Sequence, residues 1–489
     1  MTLQSQGPTP SVERVEVPAP KPPPRSILHA TLWSLGGEAG SHSLRIISSL
    51  VLTRLLFPDV FGLMAVVQVF MQGLNMFSDL GIRPIIIRHE RGDEPDFLNT
   101  IWTVRLIRGG VLSLASCAIA WPVSRFYGQP LLLYLLPVVS LNLLLEGFIS
   151  TKIFSHERRL SQSGPTLINF VSSALGIASM IVLAWIFRSV WALVWGGIVA
   201  TLARVLLSHV ALAGPGNRFH WDRTAWNEVA HFGKWVFLNS VVTFLALQMD
   251  KLVLAKMIPL AALGVYTIAV NIVQLPTMAV RTVATAVAFP AFSCARNQGA
   301  DLSPIFDRMR LMLLLGGGAC VSFLILNGPW IITLLYDPRY EDAGWILQIL
   351  AIGAWFIILE ACPGLMLLSM GHPRWLTVAS ASKILVMAAV VPPAFHFFGF
   401  PGALVAVSAV EAVRYAVTSA RVRREGLAHR GYEWATSALV LGCGLAAALI
   451  HLSPWFPRGP LRGFLSVVAF AAMWVPVGLW YLRKVRRPA

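Results

Sequence analysis

Charged side chains are scarce in this chain. Asp, Glu, Lys and Arg make up 13% of its 489 residues, whereas soluble globular domains hold about 25%. Hydrophobic residues make up 56%. A chain with so few charges cannot cover its surface with water-facing groups, so most of it must face the hydrocarbon of a bilayer.

Signatures of catalysis and of metal sites are also missing. The sequence contains no G-x-x-x-x-G-K-[ST] phosphate-binding loop, no H-E-x-x-H zinc motif and no G-x-S-x-G nucleophile elbow. Its five cysteines are odd in number and scattered, which gives neither a disulfide framework nor metal-ligand spacing: Cys117, Cys294, Cys320, Cys362 and Cys443. We therefore expect a protein that is not an enzyme and has no metal and no cofactor.

Long apolar runs recur from one end of the chain to the other. Each is about 20 residues long, enough to cross roughly 30 Å of hydrocarbon as a helix. Runs such as LLLYLLPVVSLNLLL do not alternate, which argues against a β-barrel. The sequence predicts an all-α polytopic membrane protein with about fourteen transmembrane helices, near residues 27–52, 60–82, 98–122, 129–151, 164–187, 190–212, 232–257, 261–289, 309–335, 343–370, 375–398, 400–420, 434–452 and 461–482.

The basic residues are distributed by side of the membrane. The N-terminus and every second gap between spans hold 24 Lys and Arg residues, and the intervening gaps hold 7. By the positive-inside rule, both termini are expected in the cytoplasm. The net charge of +16 is thereby explained without a nucleic-acid partner, although a cationic membrane-surface or RNA-binding role is the alternative.

One stretch of sequence occurs twice. VLTRLLFPDVFG at residues 51–62 corresponds, 202 residues later, to VLAKMIPLAALG at residues 253–264. Repeats with the same orientation are typical of transporters whose binding site lies between the two halves. We accordingly predict a disordered cytoplasmic tail (1–26), a six-helix bundle (27–215), a cytoplasmic linker (216–231), a second six-helix bundle (232–425), and a transmembrane hairpin with a basic tail (426–489).

Polar residues recur at helical spacing on the helices that flank the doubled stretch. They fall on one face of each helix: Ser34, Glu38, His42 and Arg45 in the first span; Gln68, Gln72, Asn75 and Asp79 in the second; Asn239, Thr243 and Asp250 in the seventh; Thr267, Asn271, Gln274 and Arg281 in the eighth. A polar stripe in a membrane helix faces a neighbouring helix or a water-filled cavity. Simple interhelical packing is the alternative for the uncharged residues.

Other charges inside the spans have local explanations. Glu411 and Arg414 stand three residues apart and can pair along one helix. Arg105 and Arg108 lie near the inner end of their span, where long side chains can extend to the interface.

The segment LRIISSLVLTRLLFPDVFGLMAVVQVFMQGLNMFSDLGIRPIIIRHE, residues 44–90, resembles the first two helices of bacterial polysaccharide flippases of the Wzx type. These belong to the multidrug, oligosaccharidyl-lipid and polysaccharide exporter superfamily. The likeness extends to LPTMAVRTVATAVAFPAF in the eighth span and to the fourteen-span layout. It implies two six-helix bundles in a V, a central cavity lined by spans 1, 2, 7 and 8, and an added C-terminal hairpin.

The resemblance also implies a cargo and a place. The cargo is an undecaprenyl-diphosphate-linked oligosaccharide, moved from the inner to the outer leaflet of the bacterial cytoplasmic (inner) membrane. A polysaccharide polymerase and export machinery are the expected partners.

Candidate site residues come from the stripes and not from a family motif. Arg45 and Arg281 are candidates for gripping the diphosphate, because a guanidinium binds phosphate oxygens bidentately. Amide side chains can both donate to and accept from sugar hydroxyls: Gln68, Gln72, Asn75, Asn271 and Gln274. Candidates for H⁺ or Na⁺ coupling, or for gating, are Glu38, His42, Asp79 and Asp250. Asp79 and Arg281 are equivalent under the offset, and we expect them to meet when the inner side closes.

Two other functions are consistent with part of this pattern. A cation-coupled drug antiporter of the same superfamily would share the fold, but would favour an acidic or aromatic pocket. An integral-membrane polysaccharide polymerase would normally need a sizeable outer loop, and the outer gaps here are short.

The charge distribution makes a prediction about topology. Reporter domains fused after Arg91, Arg159, Arg296 and Arg424 should read cytoplasmic, because these residues lie in the basic gaps. A reporter inserted near Asp337 should read external. A cytoplasmic signal at Asp337 would overturn the assignment of the spans.

Overall fold

The computed structural model describes residues 24–78, 81–82, 85–86, 91–159, 161–427, 431–452 and 460–485. Within α1, α8 and the C-terminal hairpin, side chains are described only in part. Most of the predicted tail, 1–26, lies outside the described residues. In the described part of the chain the secondary structure is helical and no strand occurs, which confirms the all-α class.

Seven helices of the first bundle have their full bounds within the described residues. They are α1 (Pro24–Leu55), α2 (Pro58–Phe77), α3 (Pro95–Tyr127), α4 (Leu132–Gly147), α5 (Lys152–Arg158), α6 (Ser163–Phe187) and α7 (Trp191–Val210). The short helix α5 bends away from α4 by 57°. Extensive packing joins α3 to α4, α6 to α7, and α1 to α6.

The second bundle follows without a long flexible connection. Its helices are α8 (Arg223–Met257), α9 (Leu260–Val283), α10 (Phe289–Asn297), α11 (Leu302–Leu335), α12 (Ala343–Ser369) and α13 (Arg374–Arg424), and α9 continues into α10 through a π-helical turn at Ala284–Ala288. The helix α8 begins inside the segment predicted as a linker. Asp222 caps its N-terminus by accepting a hydrogen bond from the Thr224 backbone N–H at 2.8 Å.

The long helix α13 is a hairpin of two spans. Gly399, with φ 64° and ψ −158°, interrupts the helical backbone, a conformation that glycine adopts readily. Lys383 Nζ lies 2.6 Å from Glu411 Oε1. Twenty-eight residues of straight helix would separate these groups by about 42 Å, so the two halves fold back on each other at Gly399.

The described helices coincide with all fourteen predicted spans. Ten of them are long and apolar enough to cross a membrane, and the bent pair α4–α5 would be an eleventh. The hairpin of α14 (Tyr432–Leu452) and α15 (Pro460–Val485) packs on α11. Buried Glu433 attaches this hairpin to the second bundle. It pairs with Arg310 of α11 and accepts a hydrogen bond from the Tyr415 hydroxyl of α13 at 2.9 Å.

The doubled stretch forms a close backbone contact between the two bundles. A Cβ built on Gly62 of α2 would lie 1.9 Å from the Leu260 carbonyl oxygen, and one on Gly264 of α9 would lie 2.0 Å from the Pro58 carbonyl oxygen. Pro58 and Gly62 correspond to Leu260 and Gly264 under the offset of 202. The repeat therefore meets its own copy where α2 and α9 begin, at a distance that only glycine permits.

A loop of the second bundle grips the end of α1; we call this the first clasp. Arg339 Nη2 donates to the carbonyls of Thr53 and Arg54 at 3.3 and 3.1 Å, and Tyr340 donates to the Leu56 carbonyl at 3.0 Å. Cationic donors at a helix C-terminus satisfy carbonyls that lack helical partners. Hydrogen bonds from Arg339 hold the pKa of the Asp337 carboxyl below its ordinary value, so that pairing is lost only as pH falls through the lowered pKa.

The equivalent loop of the first bundle grips the end of α8; we call this the second clasp. Tyr127 donates to the Leu252 carbonyl at 3.3 Å. Lys256 donates to the Phe126 carbonyl, and its Nζ lies 4.8 Å from the centre of the Phe126 ring. Leu252 and Lys256 are the repeat partners of Leu50 and Arg54. Each bundle thus holds an end turn of the other, and the molecule is closed at this end, which the charge distribution predicts to be the outer one.

Replacing Gly62 by Ala should destabilise the protein by about 1 to 3 kcal/mol, because the added methyl overlaps a backbone carbonyl that cannot rotate away. Gly264→Ala should behave alike. Gly316→Ala, at an exposed helical position with open space around it, is the matched control. Thermal unfolding in detergent measures the effect, and equal unfolding temperatures for all three variants would show that the close approach is not maintained.

Removing both clasps should open the outer side. A hydrogen bond to a charged group contributes about 1.5 to 3 kcal/mol, so Arg339→Ala with Lys256→Ala should raise labelling of a cysteine buried at the contact between the bundles by about tenfold or more. The reporter is Leu263→Cys in a background without the native cysteines, since Leu263 is fully buried beside Gly264. An impermeant maleimide added from outside measures access.

The matched control for the clasps is Arg188→Ala, which removes another cation from an outer turn. Its labelling should stay at the parental rate. Parental labelling of the double variant as well would mean that the clasps do not hold the outer side closed.

Candidate functional site

A cavity of about 670 Å³, the large cavity, lies within the first bundle. Three arginines and two glutamates line it: Arg45 of α1, Arg105 of α3, Arg204 of α7, Glu146 of α4 and Glu157 of α5. Seven further polar side chains carry hydroxyl or amide groups: Ser41, Gln162, Thr166, Asn169, Ser172, Ser173 and Thr201. Met278 of α9 is the contribution of the second bundle among the described lining residues.

A second cavity of about 510 Å³, the small cavity, shares Glu146 with the large one. Gln72 and Asn75 of α2 and Arg108 of α3 form its polar wall together with Asn142. The two cavities meet on either side of the Glu146 side chain, so they form neighbouring parts of one polar region.

Two of these arginines are held by helix ends. Arg105 donates to the carbonyls of Glu146 and Ile149, where α4 ends, at 2.7 and 3.0 Å. Arg108 donates to the Asn75 carbonyl in the last turn of α2 at 2.8 Å and to Ser78 Oγ at 2.9 Å. The expectation that both side chains extend to the interface is therefore wrong. They bridge helices instead, because free carbonyls at a helix C-terminus attract a cation.

Asn75 links a cation to an anion. Its Oδ1 accepts from Arg108 Nη2 at 2.5 Å, and its Nδ2 donates to Glu146 Oε2 at 3.5 Å. Beside it, Gln72 Oε1 accepts from Gln248 Nε2 of α8 at 2.8 Å, which ties the first bundle to the second.

The large cavity contains polar atoms whose hydrogen-bonding capacity is unused. Arg204 Nε and Asn169 Oδ1 are both buried without a hydrogen-bond partner in the structure. Within the part of the chain that the structure describes, the guanidinium of Arg45 has no hydrogen-bond or ion-pair partner either. A buried polar group without a partner costs free energy, so such atoms in a cavity wall indicate positions for a polar ligand.

The charges of the second bundle are arranged differently. Lys383 pairs with Glu411 at 2.6 Å and donates to the Ala246 carbonyl at 2.7 Å. Arg414 Nη2 lies 3.4 Å from Glu360 Oε1. The expected pairing of Glu411 with Arg414 is therefore wrong, because Glu411 pairs with Lys383 in the other half of the α13 hairpin and Arg414 pairs with Glu360 of α12.

The structure brings three of the predicted binding residues to the cavities. Arg45 lines the large cavity, and Gln72 and Asn75 line the small one. The other four are exposed side chains that line neither cavity: Gln68 of α2, and Asn271, Gln274 and Arg281 of α9.

Predicted coupling residues are described only in part. The side chains of Glu38 and His42, and the whole of Asp79, lie outside the described residues, so the expected contact between Asp79 and Arg281 stays a prediction. Asp250 is half-buried and accepts a hydrogen bond from the fully buried Tyr266 hydroxyl.

Arg204 and Glu146 lie at the cavities but do not belong to the repeat. The signal that could have identified them is their charge within apolar runs, WALVWGGIVATLARVLL for Arg204 and LLLYLLPVVSLNLLLEG for Glu146, because ionisable residues inside membrane spans are rarely without a role. Their helices, α4 and α7, also extend the cavity wall beyond the four helices implied by the resemblance.

Curated proteins similar to this chain come from polysaccharide biosynthesis. The succinoglycan biosynthesis transport protein ExoT of Rhizobium meliloti (strain 1021) is 23% identical over 53% of this chain and 52% of its own length. The amylovoran biosynthesis protein AmsL of Erwinia amylovora is 24% identical over 60% of this chain and 77% of its own. The lipopolysaccharide biosynthesis protein WzxC of Escherichia coli (strain K12) is 24% identical over 65% of each chain. The matches thus span between about half and three quarters of these relatives.

Solved structures share the fold. Lipid II flippase MurJ in an inward closed conformation superposes with a TM-score of 0.72 at 13% identity, over 94% of this chain and 100% of that one. An inward-facing multidrug resistance transporter of the MATE family gives 0.56 at 16% identity, over 81% and 95%. Both are membrane transporters, and at these identities the likeness concerns the fold alone.

A family model described as polysaccharide biosynthesis protein matches residues 51–344. This region begins at the doubled stretch and contains both cavities except the α1 wall. Since it covers more than half of the chain, the protein belongs to the polysaccharide biosynthesis protein family.

Proposed function

We propose that this protein is a flippase, a transporter rather than an enzyme, that moves a polyprenyl-diphosphate-linked saccharide across the bacterial inner membrane during polysaccharide assembly. Undecaprenyl diphosphate is the carrier that the family resemblance implies. The movement is from the inner to the outer leaflet, by alternating access of the two bundles. The observation that carries this proposal is the polar region formed by the two cavities.

The formal charge of the cavity walls suits a diphosphate. Among the described residues, four arginines and two glutamates line the cavities, an excess of two positive charges. A diphosphate diester carries one negative charge on each phosphate at neutral pH. The ligand would therefore neutralise the walls, and guanidinium groups are suited to its oxygens.

The remaining polar groups suit a saccharide. Serine and threonine hydroxyls and asparagine and glutamine amides each donate and accept hydrogen bonds, as sugar hydroxyls do. Cavities of ligand-binding size span about 300 to 1,000 Å³, and both cavities fall in this range at about 670 and 510 Å³. A drug-binding pocket would instead be lined mainly by apolar and aromatic side chains.

The closed outer end of the molecule and the position of the large cavity both support loading of the cargo from the cytoplasm. The clasps close the outer side, while the large cavity lies near α5, in a gap that the basic residues place inside. The apolar carrier tail can remain in the bilayer between the bundles. H⁺ or Na⁺ coupling and association with a polymerase stay predictions, with Asp250 as a coupling candidate among the described residues.

Deletion of the gene should leave lipid-linked repeat units in the inner leaflet and abolish the exported glycan, because the hydrophilic head cannot cross hydrocarbon unaided. Complementation with the wild-type chain should restore export. Arg45→Ala should not restore it, and Arg45→Lys should restore it in part, since an ammonium keeps the charge but loses the bidentate fork. Extracted lipid-linked saccharides and surface glycan are the two readouts, with membrane levels of each variant checked by immunoblot.

Two results would contradict this proposal. Normal surface glycan in the deletion strain, together with raised sensitivity to cationic drugs, would identify a drug antiporter. Accumulation of unpolymerised repeat units in the outer leaflet would place the defect after flipping, as for a polymerase.

A further inference from the structure

The large cavity presents two unused groups of opposite hydrogen-bonding character. Arg204 Nε is a buried donor without an acceptor, and Asn169 Oδ1 is a buried acceptor without a donor. They belong to the adjacent helices α7 and α6, and both side chains line the same cavity. They are not hydrogen-bonded to each other, so a ligand that satisfies both must supply an acceptor for one and a donor for the other.

Neighbouring residues leave this pair available to a ligand. Thr201, one turn before Arg204, is already used, since its hydroxyl donates to Asn142 Oδ1 at 2.7 Å. Glu146 and Glu157 line the cavity, but neither lies within ion-pair distance of Arg204 among the described residues. Among the described residues, no carboxylate therefore pairs with the Arg204 guanidinium, and its Nε remains available to an anionic ligand.

We propose that Arg204 and Asn169 recognise the junction between the diphosphate and the first sugar of the cargo; this inference rests on the proposed function. A phosphate oxygen accepts from the Arg204 guanidinium. A hydroxyl or amide N–H of the first sugar donates to Asn169 Oδ1. A glycosyl phosphate places these two kinds of group a few bonds apart, whereas a bare polyprenyl diphosphate supplies only the first.

This assignment also places the anionic end of the cargo in one bundle. Met278 is the described lining residue that the second bundle contributes to the large cavity, and neither cavity includes Arg281. The phosphate would then travel with the first bundle while the second bundle moves over it. This differs from a grip shared between Arg45 and Arg281.

The test compares two probes on the purified, full-length protein in nanodiscs. The probes are undecaprenyl diphosphate and the same lipid bearing one N-acetylated hexosamine, and binding is followed by tryptophan fluorescence. Arg204→Gln should weaken both probes by about tenfold or more, as expected for loss of a charge-assisted hydrogen bond. Asn169→Leu should weaken only the glycosylated probe, by about five- to tenfold, and Asn169→Asp should weaken both because a carboxylate repels the phosphate.

Matched controls are Arg125→Gln, at the outer end of α3, and Asn297→Leu, at the exposed end of α10; both should bind like the wild type. Wild-type binding of both probes by Arg204→Gln would overturn the proposal. Equal weakening of both probes by Asn169→Leu would also overturn it. So would lost binding in Arg281→Gln with normal binding in Arg204→Gln, which would place the phosphate in the second bundle.

The deletion experiment keeps this inference separate from the proposed function. If the deletion strain accumulates inner-leaflet intermediates but the two variants bind both probes normally, the flippase proposal stands and the assignment of Arg204 and Asn169 fails. If the deletion strain exports glycan normally, the flippase proposal fails whatever the probes show.

Discussion

A charge inside a membrane-spanning bundle must find a counter-charge, a backbone carbonyl or water, because hydrocarbon offers none of these. This requirement accounts for much of the architecture. Lys383 and Glu411 hold the two halves of α13 together, and Arg310 and Glu433 hold the C-terminal hairpin against α11. Breaking a buried pair by removing one partner typically costs about 3 to 5 kcal/mol, so these contacts also fix which helices are neighbours.

Helix C-termini are the second partner for cations in this fold. Arg105 and Arg108 each span from α3 to the last carbonyls of another helix, and Lys152 does the same for α7, donating to the carbonyls of His209 and Leu212 at 2.9 and 3.0 Å. On the outer side Arg339 uses the same chemistry between bundles. The same interaction thus stabilises a single bundle in some places and joins two bundles in others, and under the proposed alternating access the contact between bundles would have to break and re-form.

The two halves share a plan but differ in charge. At the doubled stretch they are nearly symmetric, with Gly62 against Gly264 and one clasp on each side. Away from it, the first bundle has cavities with Arg45 and Arg204 unpaired among the described residues, while the second pairs Lys383 and Arg414 with carboxylates. In the proposed function, the symmetric contact is where the two bundles would move against each other, and the asymmetric charges would let one bundle hold the cargo.

The sequence by itself determined the helical class, the fourteen spans and the repeat, because apolar length, helical period and glycine placement are local properties that need no partner. It also placed Arg45, Gln72 and Asn75 on polar faces that avoid lipid, and these three side chains line the cavities. Only the tertiary structure decided which charges pair. Glu411 pairs with Lys383 and not with Arg414 three residues away, because the break at Gly399 folds the two halves of α13 against each other. It likewise decided that Arg204 and Asn169 share a cavity while Arg281 lies outside it, since a cavity wall is assembled from helices that are far apart in the chain.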